Sequence, residues 1–389
     1  MQEIEVTRRF QQKALEGARV LSFVGAGAYR HYIPAPVSLR SNFFTPGEES
    51  EKSSRSQVSN SLIESLSDLN GMDASYFAGS DLIAALVKAC VIGLKFPRKN
   101  RANRILIAST VNPFYRKAIR TWLKPRGIDP DLVHYDDSIG AVGLDQLKNE
   151  NKKTADVLVI QYPNFFGVLE PIDEIAVWAR KQGITLISIV NPLALGALKP
   201  PGRWGKQGAD IAVYDLQTLG LPVCFAGAVP GFISIKKRLI EKFEVAAKSL
   251  DNTRNLQPAT EWMHARAEAY LSFVGNNGIA RIAQQCALNL VNLESRLLEI
   301  PQLSVRFSGD RFHESVVKFD QLDLSAVLSL CTGHGIQIGY PLEQEYPELG
   351  QCVMFNATEN HLPEDINAVV GKLKKAVEIQ SKASCPVTR

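Results

Sequence analysis

Several things are scarce in this 389-residue chain, and each absence removes a class of protein. No apolar run reaches the roughly 18–20 residues that a helix needs to cross a bilayer, so no membrane role is expected. The first residues, Met1 to Arg9, are charged and contain no apolar stretch, so no secretory leader is expected. The six cysteines, at 90, 224, 286, 331, 352 and 385, form no C-x-x-C pair and no metal-like spacing with histidine. Several lie in apolar runs, where a thiol behaves as a small hydrophobe, and free thiols in a reducing cytoplasm are the expectation. The net charge is only +4, and Lys and Arg are interspersed with Asp and Glu, which leaves no nucleic-acid footprint.

What is present is the composition of a globular protein: 45% hydrophobic and 22% charged residues. The length suits two cores better than one. Between 105 and 235, short apolar runs at Ile105–Ser109, Asp156–Gln161, Thr185–Val190 and Asp210–Tyr214 read as strands buried on both faces. Helical patterns lie between some of them. In Tyr115–Leu123, residues Ala118, Ile119, Trp122 and Leu123 are expected on the apolar face. In Pro171–Gln182 that face holds Ile172, Ile175, Ala176 and Ala179. Strand–helix alternation predicts an α/β fold with a mostly parallel sheet.

Residues 46–57, polar and rich in Ser and Glu, read as a flexible loop before a helix at Val58–Leu69. The pattern changes after about residue 240. Residues 259–300 are largely helical, interrupted at Gly275–Gly278. Strands follow at Leu303–Phe307, Ser315–Phe319 and 352–356, with helices near 322–333 and at Pro363–Gln380. The expected organisation is an N-terminal arm over 1–45, a large α/β domain over 46–255, and connecting helices with a small α+β domain over 256–389.

The glycines at 25 and 27 lack the strand–loop–helix context and third glycine of a dinucleotide site, so a shaped backbone turn is expected. That turn would carry Tyr29, His31 and Tyr32, toward a partner's site or simply onto this chain. Asn164 follows the end of a strand, where α/β sites form; it could bond a ligand or cap the next turn. His313 and Glu314 start a strand and are read as structural, and no partner is evident for His264, His334 or His361.

Nine ordered stretches resemble one family. They are FVGAGAYRHYIPAPV (23–37), LNGMDAS (69–75), NPFYRKAIRTW (112–122), QYPNFFGVLEPIDEIA (161–176), ISIVNPLALGALKPPG (187–202), QGADIAVYDLQTLGLPVCFAG (207–227), PGFISIKKRLIEKF (230–243), FHESVVKF (312–319) and GYPLEQEYPELG (339–350). The chain resembles subunit 1 (alpha) of glycine dehydrogenase (decarboxylating), the P-protein of the glycine cleavage system, as a divergent member shortened at its N-terminus. The resemblance implies a fold-type-I pyridoxal-phosphate architecture and a cytoplasmic α2β2 heterotetramer. It implies support for glycine decarboxylation and for aminomethyl transfer to the lipoyl group of H-protein, an oxidoreductase reaction. It implies that pyridoxal phosphate is held by the beta subunit, with none bound covalently here.

The residues read independently agree. A pyridoxal enzyme needs an aldimine lysine and a carboxylate that keeps the pyridine nitrogen protonated. Here the strand Thr185–Val190 ends in Asn191, and the lysine slot near Leu216–Leu219 reads Leu-Gln-Thr-Leu, with Gln217 in it. No catalytic residue and no metal ligand is therefore expected in this chain. Gln217 is read as an occupant of a vacated pocket, and Tyr29, His31, Tyr32, Asn164 and Gln217 as interface or site-lining candidates. Departures from the family pattern at Arg30, Ala78–Leu82, Asn191 and 253–262 support an alternative: a non-catalytic paralogue that binds or regulates a partner. A third reading is an independent pyridoxal enzyme that uses an off-pattern lysine.

Overall fold

The computed structural model describes residues 20–40, 51–96, 102–151, 154–223, 229–248 and 258–383. The chain forms two units: residues 27–286 with 307–312, and residues 20–26, 287–306 and 313–383.

The larger unit is built on a seven-stranded sheet. Its strands are β1 (Ala74–Gly79), β2 (Ile105–Ala108), β3 (Asp131–Val133), β4 (Val157–Tyr162), β5 (Thr185–Val190), β6 (Ile211–Asp215) and β7 (Gly231–Ile235). The spatial order is β1-β7-β6-β5-β4-β2-β3. Five of these strands, β3 to β6 with β2, are joined in parallel; β7 runs antiparallel to both β1 and β6. The four strands expected from the apolar runs all lie in this sheet, with β4 and β5 in register from Val157↔Thr185 to Tyr162↔Val190. Every residue of β5 is buried, as expected of a central parallel strand covered on both faces.

Local chemistry fixes the flanking helices. Asp81 caps the helix Leu82–Lys95 by accepting the Ala84 N–H at 2.8 Å. Asn112 does the same for Pro113–Leu123, where Pro113 occupies the first turn. Gly183, at φ 68°, ends Ile172–Gln182 in the left-handed conformation that a side chain resists. The apolar face expected of this last helix is buried as expected, with Trp178 added to it.

Two expectations are corrected. A helix spans Glu51–Asn70, so the part of the expected loop from 51 onward is helical; residues 46–50 lie outside the described residues. In Pro113–Leu123 only Pro113, Ile119 and Leu123 are buried, and Trp122 is exposed. The buried arc centres on Ile119 and Leu123, four apart, and Trp122 stands about 100° round the helix from Leu123.

The smaller unit holds an antiparallel sheet in the order Tyr340–Pro341, Cys352–Asn356, Glu314–Phe319, Leu303–Val305, with helices Leu324–Gly333 and Pro363–Ala383. The arm expected over 1–45 is divided. Leu21–Ser22 pairs in parallel with Ile336–Gln337, and Phe23 is fully buried in the smaller core, so 20–26 belong to this unit. His361 finds its partners here: its Nδ1 accepts the Thr358 N–H at 2.9 Å, and its Nε2 lies 2.9 Å from the Ser22 carbonyl. The helix Pro258–Leu297 breaks at Gly275 (φ 63°), inside the expected interruption. The rewritten stretch 253–262 falls outside the described residues up to 257. No helix of the described residues is long and apolar enough to cross a membrane.

Candidate functional site

Ligands of open α/β sheets bind outside the carboxyl ends of the parallel strands. That edge here carries a row of amides: Asn112 after β2, Asn164 after β4, Asn191 after β5 and Gln217 after β6. An amide is neutral at every ordinary pH and forms no Schiff base, so the row can bond and orient but supplies neither a nucleophile nor a counter-charge.

Gln217 and Tyr29 are both buried and bonded to each other twice. The Tyr29 N–H donates to Gln217 Oε1 at 3.1 Å, and Gln217 Nε2 donates to the Tyr29 carbonyl at 2.7 Å. The side chain of Gln217 thus pairs with the backbone of Tyr29 as a neighbouring strand would. The Gln217 N–H donates to Asp215 Oδ1 at 2.9 Å. Burial pushes the Asp215 carboxyl up to about 6; that hydrogen bond opposes the rise and the nearby Asp81 carboxylate adds to it. Residues 27–32 form a strap over this edge, and Gly27, at φ 101°, lets it turn close to Asn112: a Cβ there would lie 3.2 Å from Asn112 Nδ2. Along the strap, Tyr29 and His31 point inward and are buried, with ring centroids 6.3 Å apart, while Arg30 and Tyr32 are exposed.

Asn164 is engaged at all of its hydrogen-bonding positions. Its Nδ2 donates to the Gly140 carbonyl (2.8 Å) and Glu170 Oε1 (2.9 Å), and its Oδ1 accepts the N–H groups of Phe166 and Val168. It shapes the loop after β4 and is not among the groups that meet at Gln217. Asn191 accepts the Leu193 N–H at 3.1 Å, starting the turn after β5.

Two groups at this edge were not legible as site elements. Glu170 is fully buried and accepts from Thr110 Oγ1 (2.6 Å), Asn164 Nδ2 (2.9 Å) and the Val142 N–H (2.7 Å). Desolvation outweighs these bonds and lifts its carboxyl to about 7. Asp215 ends β6 directly before the amide slot. The one available signal for Glu170 was a carboxylate inside the apolar run FFGVLEPI.

A covalently held pyridoxal phosphate needs a lysine for its aldimine. Gln217, where the sequence leads one to expect that lysine, is an amide whose two polar atoms are both engaged. Lys236 follows β7, which runs opposite to β6, so it stands at the amino edge of the parallel strands, where it bonds the Gly71 carbonyl at 3.0 Å. Lys199 is ion-paired with Asp173 at 2.7 Å on the surface.

The glycine cleavage system P-protein family profile matches residues 1–244. The chain is 33% identical to the probable glycine dehydrogenase (decarboxylating) subunit 1 of Nitrosospira multiformis, over 97% of this chain and 89% of that protein. Its fold is similar to a solved glycine decarboxylase (P-protein) of the glycine cleavage system in inhibitor-bound form: TM-score 0.83, 23% identity, 97% of this chain and 90% of that one. A sphingosine-1-phosphate lyase of Burkholderia pseudomallei K96243 gives a TM-score of 0.75 at 14% identity, covering 98% of this chain and 92% of that one. The architecture is the fold-type-I one of pyridoxal-phosphate enzymes.

Proposed function

Because the chain belongs to the glycine cleavage system P-protein family, we infer that it is subunit 1 of a cytoplasmic glycine dehydrogenase (decarboxylating), an α2β2 assembly in which the partner beta subunit (subunit 2) holds pyridoxal phosphate. The observation that carries this reading is the Gln217–Tyr29 pair: the position where the fold would place an aldimine lysine is an amide tied to its own backbone strap. Bound to the partner, the cofactor supplies the electron sink that lets glycine lose its carboxylate. The aminomethyl group passes to the lipoyl arm of H-protein.

This chain's own contribution is positional. Gln217 holds the strap, Tyr29 and His31 anchor it inward, and Arg30 and Tyr32 face outward, a cation and an aromatic suited to a partner's site mouth. Asn164 and Glu170 fix the neighbouring loop. A second reading, a binding or regulatory paralogue, draws on Asn191 and Arg30, which differ in charge from the residues the family pattern leads one to expect there.

The test is co-expression with the subunit 2 that accompanies it, followed by glycine-dependent exchange of carbon dioxide and by borohydride reduction with peptide mapping. Exchange activity with a pyridoxyl-lysine adduct confined to subunit 2 is expected. An adduct on this chain would overturn the assignment of the cofactor. An assembled complex without exchange would favour the regulatory paralogue.

A further inference from the structure

The helix Pro113–Leu123 is committed to the core through Ile119 and Leu123, yet its other side carries two large aromatic side chains in water. Phe114 is 53% and Trp122 58% exposed. They stand just over two turns apart along the helix and about 80° apart around it, both away from the buried arc of Ile119 and Leu123. Residues 113–126 contain five cations, Arg116, Lys117, Arg120, Lys124 and Arg126, and no carboxylate. Lys117 Nζ lies 5.9 Å from the Phe114 ring centre. Arg126 Nη1 donates to the Trp122 carbonyl at 2.7 Å, which keeps a guanidinium at the base of the indole. Arg120 is paired with Asp129 at 2.7 Å.

Exposed aromatics are the side chains that interfaces favour as anchors, and a surrounding ring of one charge selects a partner of the other. The helix cannot roll its apolar side into a bilayer, because that side is already in the core. Its position is specific too. Asn112, which caps it, donates its N–H to Gln161 Oε1 on β4 (2.9 Å) and lies beside Gly27, so the first turn stands next to the Tyr29 strap at the carboxyl edge. A small basic patch centred on two aromatics suits a carrier that docks, delivers its arm and leaves, since transient encounters use small, electrostatically steered interfaces.

We propose that the outer face of this helix, Phe114 and Trp122 framed by Lys117, Lys124 and Arg126, is the docking surface for an acidic face of the lipoyl-bearing carrier protein. The proposal rests on the function inferred above and adds where that carrier sits on this chain.

The experiment uses the co-expressed complex with subunit 2 and the lipoylated H-protein encoded with it. Binding is measured by titration calorimetry across a salt series for the native complex, Trp122→Ala, and the double variant Lys117→Glu/Lys124→Glu. Carbon dioxide exchange with free lipoamide in place of the carrier serves as the control. Each variant is expected to weaken carrier binding about tenfold or more. The native affinity should fall with salt and that of the double variant should not, with lipoamide-supported exchange unchanged. Carrier affinities within about twofold of native would overturn the docking surface and leave the inferred function standing. A native complex that binds no carrier would overturn both. A variant that loses lipoamide-supported exchange would mean the helix serves the fold or the chemistry, and the proposal fails. It fails equally if duplex DNA or phosphatidylserine vesicles bind this face more tightly than the carrier does.

Discussion

Gln217 bonds the backbone of Tyr29 in both directions across 188 residues of sequence, accepting its N–H at 3.1 Å and donating to its carbonyl at 2.7 Å. A Gln217→Ala variant leaves both buried backbone groups without these partners. Each lost partner costs about 1–3 kcal/mol, so denaturant unfolding should show a loss of this order for the variant. Gln217→Lys should behave similarly. It restores a lysine to the slot while Asn191 stays neutral, and no pyridoxyl adduct should form after borohydride treatment of the isolated chain. A stoichiometric adduct at residue 217 would show that the slot is open to the cofactor.

Glu170 makes stability depend on pH in a direction opposite to most carboxylates. Burial raises it from its ordinary 4.5 to about 7 in the folded chain. The folded state therefore holds a proton that the unfolded state releases between those values. Its contribution is fully present below about 4.5 and is lost as pH rises through about 7. The change is on the order of 3 kcal/mol. Glu170→Gln should flatten this part of the stability profile between pH 4.5 and 8; a slope unchanged in the variant would assign the pH dependence elsewhere.

His264, buried with its ring edge-on to Phe77 and Phe232, gives the complementary case. Burial depresses it from 6.5 to about 4, so the neutral ring is favoured in the folded state. Its contribution is present above 6.5 and is lost as pH falls toward 4. Its imidazole resonances should show no titration above pH 5 in a histidine-selective NMR spectrum, and a midpoint near 6.5 would refute the burial argument.

Gly220 sits three residues beyond Gln217 at φ 79°, and a Cβ there would lie 2.8 Å from the Tyr270 side chain. Its carbonyl accepts the Arg266 Nε–H at 2.7 Å. Gly220→Ala combines backbone strain with overpacking, so a loss of about 2–4 kcal/mol is expected. Gly183→Ala shares the positive φ but meets open space, and should cost less. Equal losses for the two would show that packing against Tyr270 contributes nothing.

The order of residues along the chain was enough to find four of the seven strands of the large sheet, because a parallel strand buried on both faces must be apolar at nearly every position. The runs over β2, β4, β5 and β6 could be read for that reason, and so could the small-domain strand Cys352–Asn356. Trp122 was misplaced because an apolar side chain records its cost of hydration and not the arc its helix buries; that arc is set by the neighbouring sheet and turns on one residue of rotation. The partners of Gln217, Glu170 and His361 come from segments far away in sequence. The pairings of Gln217 and Glu170, and with them the raised carboxyl of Glu170, exist only once the strands of the large sheet bring their loops to one edge and exclude water, while that of His361 forms within the smaller unit. Sequence sets which groups are available to bond, and tertiary packing sets which of them lose their water and must find each other.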